Sequence, residues 1–109
     1  MKEKQVILNG NSFEILEYIK GKLVLENFEL STVHDFDFEY GKGYFMVFEK
    51  YYFRIDNSAS LTLHIHPLRK DQVKLVAIIS GSSTGIIKID WGVENSLMKK
   101  VEKLIEPFK

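Results

Sequence analysis

Phe28-Glu29-Leu30-Ser31-Thr32-Val33-His34-Asp35-Phe36-Asp37-Phe38-Glu39-Tyr40 alternates apolar and polar residues with a period of two. Phe28, Leu30, Phe36, Phe38 and Tyr40 hold the even positions, and acidic or hydroxyl side chains fall between most of them. Side chains alternate across a strand, so this stretch reads as β, with an interruption at Ser31-Thr32 that leaves one strand or two open. Near the other end, Val93, Leu97, Val101, Leu104, Ile105 and Phe108 recur at helical spacing. The switch of period predicts an antiparallel sheet closed by a C-terminal helix. It fixes an architecture, not a chemistry.

Outward from that stretch, Gln5–Asn9 reads as a short first strand. Asn11 followed by Glu14 is a capping-box pattern, with Phe13, Leu16 and Ile19 or Lys20 behind it at helical spacing. That helix ends at Gly21 or runs on to Leu25. Gly41-Lys42-Gly43 reads as a hairpin turn into a strand Tyr44–Ile55. Asp56-Asn57-Ser58 reads as a loop before the alternating Leu61, Leu63 and Ile65, which Pro67 terminates. Leu68–Gln72 turns the chain into Val73–Ser80. The run 81–85 is a glycine-rich loop, and Ile86–Trp91 is a last strand before the helix. The expected fold is α+β: five to six antiparallel strands in the order β-α-β-β-β-β-β-α, one domain over residues 1–109, packed against a long C-terminal helix.

A 109-residue chain that is 45% hydrophobic and 28% charged suits one globular domain. No cysteine is present, which excludes disulfides, thiolate metal sites and cysteine nucleophiles. The start, Met1–Gln5, leads into too few apolar residues for a secretory core, and no apolar run approaches the roughly 20 residues of a membrane span. The expected location is the cytoplasm. Net charge is zero, which gives no argument for nucleic acid or an anionic membrane. Charge is nevertheless segregated: Glu26, Glu29, Asp35, Asp37 and Glu39 fall in one segment without cations, while Lys99, Lys100 and Lys103 lie on the closing helix.

Nine aromatic residues fall between Phe36 and Phe53. Tyr44–Phe48 is apolar on both strand parities, and so is Val73–Ile79. A sheet covered on one side alternates cleanly, so the second side of these strands needs a cover: curvature, a second copy or an apolar ligand. The leading expectation is a homodimer through Tyr44, Met46, Phe48, Tyr52 and Arg54. The alternative is an apolar-ligand pocket lined by Phe45, Val47, Glu49, Tyr51 and Phe53 with Leu97 and Val101 of the last helix. Glu49 shares the parity of Phe45 and Val47. It is therefore either desolvated, with a raised pKa, or turned outward by a bulge.

His64 and His66 share a strand face and His34 lies on another strand, a weak pattern for a metal. No nucleophile elbow or P-loop is present. The expectation is a binding module with no catalytic residue, metal or cofactor.

Three resemblances add to this reading. Lys42-Gly43-Tyr44-Phe45-Met46-Val47-Phe48 resembles the RNP1 segment of RNA recognition domains, one small residue short. Three strands follow it where that family has a helix, and arginine is represented only by Arg54 and Arg69. The element order resembles a shortened helix-grip domain of the Bet v 1-like kind, which implies a cavity between sheet and helix. Phe48-Glu49-Lys50-Tyr51-Tyr52-Phe53-Arg54 together with Gly81, Gly85 and Asp90-Trp91-Gly92 resembles a small bacterial family of unknown function, which implies no activity.

Overall fold

A computed structural model describes residues 2–52, 57–81 and 91–109. Strand β1 (Lys2–Asn9) is followed by helix α1 (Ser12–Leu25), strands β2 (Glu29–Phe38), β3 (Gly41–Tyr52), β4 (Asn57–Arg69) and β5 (Gln72–Gly81), and helix α2 (Trp91–Ile105). The five strands form one antiparallel sheet in the order β1-β5-β4-β3-β2. The fold is α+β, with a C-terminal helix on the sheet. The expected strand Ile86–Trp91 falls mostly outside the described residues, and Trp91 itself begins α2.

Local chemistry sets the ends of α1. Asn11 caps it, its Oδ1 accepting from the backbone N–H of Phe13 at 2.9 Å and of Glu14 at 3.3 Å. The helix passes Gly21 and stops at a Schellman motif. Asn27 takes the left-handed conformation (φ 69°), its N–H bonds to the Val24 carbonyl, and the Phe28 N–H bonds to the Leu23 carbonyl. Leu23 and Phe28 enter the core together. Gly21 is therefore an interior helical position, not the stop.

Ser31 decides how β2 lies. The β2–β3 register shifts between Leu30 and Thr32, a β-bulge that inserts one extra residue. The even-numbered residues consequently do not share a face. Phe28 is in the core and Leu30 packs against it, whereas Phe36 and Phe38 lie on the opposite side of the sheet. Phe28–Phe38 is thus one strand plus its entry, bent at Ser31.

The other turns shift from expectation too. Phe38 pairs with Gly41, so Glu39-Tyr40 forms a two-residue hairpin turn and Gly41–Gly43 belong to β3. Asn57 and Ser58 pair with Tyr52 and Tyr51, so they are strand rather than loop. Pro67 continues β4 opposite Val73, and the register shifts just after it, between Pro67 and Arg69.

Both helices cover the same face. Helix α1 packs chiefly on β3 and β4, and α2 on β5 and β1, which leaves β2 outboard. Beneath them lie Tyr44, Met46 and Phe48 of β3, Leu61, Leu63 and Ile65 of β4, and Leu75, Ala77 and Ile79 of β5. Ile15, Leu16, Ile19 and Leu23 of α1 and Leu97, Val101 and Ile105 of α2 close the core. Each of the larger aliphatic or Phe side chains among them contributes about 1.5–3 kcal/mol of apolar burial. On β1, Lys2 and Lys4 share the covered side but lie at the edge; they reach up to Asn95 and Glu102 of α2. Among the described residues no helix is long and apolar enough to cross a membrane.

Candidate interaction face

Among the described residues no helix or strand covers the sheet side away from the helices, and register places the residues of that open side in rows. One row runs His34, Phe45, His64, Val76 and Gln5 across β2, β3, β4, β5 and β1. The next runs Thr32, Val47, Thr62, Ile78 and Glu3. Strands β3 and β5 are the two that are apolar on both parities, and they flank β4. Their second faces therefore merge into one patch. Phe36, Phe45, Thr62, His64, Val76 and Ile78 line a shallow depression of about 390 Å3 there, and the Phe36 and Phe45 side chains are 49% and 36% exposed.

This geometry places the described members of both expected residue sets on different sides of the sheet. Tyr44, Met46 and Phe48 are 6%, 0% and 0% exposed, because their parity faces α1 and α2. Burial by their own chain leaves these three no surface to present to a second copy. Tyr52 is half-buried and packs against the same core. Arg54 and Phe53 lie outside the described residues. The alternative pocket set does not come together: Leu97 and Val101 are buried on the helical side of the sheet, and Phe45, Val47, Glu49 and Tyr51 have the opposite parity. Glu49 does share a face with Phe45, as its position in the strand requires, but that face is the open one and Glu49 is exposed. It stands opposite Glu29 of β2.

The histidines are arranged along the open face without converging. His34 and His64 flank Phe45 on either side, two strand spacings apart, roughly 10 Å. The His64 and His66 rings are 5.9 Å apart. Among the described residues no group of three metal-ligating side chains is close enough to hold an ion. Desolvation, and secondarily the charge of His66, pushes the His64 pKa below the ordinary imidazole value. His66 also meets the edge of the Phe38 ring at 4.4 Å. In the RNP1-like stretch Lys42–Phe48, Phe45 is the one aromatic residue on the free face, and another strand follows.

Two acidic residues of β2 lie beyond the reach of the helices. Lys42 neutralises both, at 3.1 Å from Asp35 Oδ2 and 3.2 Å from Asp37 Oδ1. The Lys42 hydrogen bond and charge hold the Asp35 carboxyl below the ordinary carboxylate range.

Phe36, Val76, Ile78 and His64 were absent from the expected site. The apolar character of Val76 and Ile78 is visible in the sequence; the displaced aromatics of β2 are not, because the bulge at Ser31 reverses their side.

A family profile matches the chain from end to end, residues 1–109. The chain belongs to the family of unknown function DUF6054. No curated protein and no solved structure matches it significantly. Membership in DUF6054 brings no activity with it, so the open face carries the functional reading.

Proposed function

We propose that this chain is a non-catalytic interaction module that forms a homodimer through its open sheet face. The carrying observation is the patch of Phe36, Phe45, Val76 and Ile78 around Thr62 and His64, lying opposite the helices and uncovered among the described residues. Two such sheets pack face to face about 10 Å apart, and a two-fold axis lets one patch serve both copies. The polar residues around it, Glu3, Gln5, Glu29 and Glu49, form the rim that such an interface keeps in water. The same reading places the protein in the bacterial cytoplasm, in keeping with a chain without cysteine.

Light scattering coupled to size exclusion tests this. The wild type should elute with the mass of two chains, and Phe45→Glu should halve that mass while leaving the far-ultraviolet circular dichroism unchanged. A wild type that stays a monomer at every concentration overturns the proposal. The helix-grip likeness survives only as element order, since Leu97, Val101 and Ile105 occupy the position where a ligand under α2 would sit.

A further inference from the structure

The outward side of the helical layer carries a second feature, a groove of about 600 Å3 between α1 and α2. Tyr18 and Leu25 of α1, Leu104 of α2 and the methylene stems of lysines make its walls mostly apolar. Leu25, the last residue of α1, is 81% exposed and adds its side chain to the apolar wall of the groove.

Four lysines border the groove, Lys22 from α1 and Lys99, Lys100 and Lys103 from α2, against the single carboxylate of Glu26. Glu26 is committed to Lys100 at 3.3 Å. Lys22 sits over the Tyr18 ring at 5.6 Å, and among the described residues Lys99 and Lys103 have no carboxylate within ion-pair distance. Among the described residues a formally neutral chain has thus gathered a local excess of positive charge around an apolar trough.

We propose that this groove binds a single-chain anionic amphiphile, of the fatty-carboxylate kind. Its alkyl tail lies against Tyr18, Leu25 and Leu104, and its head group is held by Lys22, Lys99 and Lys103. Three features favour that occupant. The trough is concave, which suits a discrete chain better than a flat bilayer. Its cations are all lysines, point charges that hold a monoanionic head without the paired geometry of arginine. The lining runs from Tyr18 to Glu26 and from Ser96 to Leu104, about 12 Å along each helix, the reach of a medium-length tail. The site lies across the sheet from the self-association face and does not depend on it.

Titration of decanoate, below its micelle-forming concentration, into the 15N-labelled full chain tests the assignment. Saturable amide shifts should centre on Leu25, Lys99, Lys103 and Leu104, and decyltrimethylammonium should leave them unmoved. The variant K99E/K103E changes two exposed residues, so its unfolding midpoint should match the wild type while decanoate affinity falls roughly tenfold or more. Leu25→Ser, which leaves the charges intact, should weaken binding as well and serves if the double variant does not fold. Absence of saturable shifts, an equal response to the cationic analogue, or shifts centred on Phe45 and Val76 would each overturn the proposal. Binding to anionic phospholipid vesicles without binding to decanoate would also overturn it, in favour of a membrane surface.

Discussion

The ring of Phe38 occupies the space that a side chain at Gly43 would need. A Cβ on Gly43 would lie 2.8 Å from Phe38 Cδ2 and 3.0 Å from the Ile65 carbonyl oxygen. The aromatic ring thereby covers a glycine on the neighbouring strand and reaches His66 beyond it. Gly43→Ala should expel Phe38 and cost about 1–3 kcal/mol in urea unfolding. Phe38→Ala combined with Gly43→Ala should cost less than the sum of the two single changes. Simple additivity would show that the two positions do not compete for the same space.

Deleting Ser31 removes the extra residue of the bulge. Leu30 and Thr32 then become neighbours opposite the adjacent Phe48 and Val47, so the strand pairs regularly and Phe36 and Phe38 keep the side away from the helices. The deletion should therefore cost only about 1 kcal/mol, read by thermal unfolding, and a loss of several kcal/mol would show that the extra residue lies elsewhere in β2. Ser31→Ala, which keeps the residue count, should stay near the wild-type value.

Parity along β3 separates core from surface in consecutive residues. Met46→Ala should cost about 2–5 kcal/mol, the penalty of a cavity at a fully buried site. Phe45→Ala, measured at a concentration where the chain is monomeric, should cost well under half as much. Equal costs would mean that both faces of β3 are buried in one molecule.

His64 gives a pH dependence of definite sign. Its folded pKa lies below the ordinary 6.5, so the unfolded chain takes up the proton first as pH falls. Its contribution to stability is complete above about pH 6.5 and is lost as pH drops through that value toward the lower folded pKa. Urea midpoints between pH 7.5 and 5 should therefore decline, and His64→Asn should flatten the decline. An unchanged slope in the variant would remove His64 as its source.

Much of the fold is legible from period alone. The helix that Asn11 caps, the alternation of β4 and the apolar stripe of α2 each follow from local spacing. Period does not say which parity faces the helices when both are apolar, as in β3 and β5. That choice depends on where α1 and α2 come to rest, a long-range matter, and it sent Tyr44, Met46 and Phe48 inward and Phe45 and Val47 outward. The bulge at Ser31 is invisible for a different reason: one extra residue leaves the composition of β2 unchanged while reversing half its side chains. Two glycines are ambiguous for a similar reason: Gly21 allows a helix end there or at Leu25, and Gly43 allows a turn, while the fold runs α1 on to Leu25 and sets Gly43 beneath a ring.

Of the five strands, the earliest in sequence is the last that can be satisfied. Strands β2 to β5 each pair with the next strand in sequence, but β1 borders only β5, Lys2 lying beside Ile79. A chain emerging from its N-terminus must therefore hold β1 and α1 in waiting until nearly the whole meander is complete. Fraying should begin at that same junction, with the amides of β1 exchanging before those of β4 in native-state hydrogen exchange.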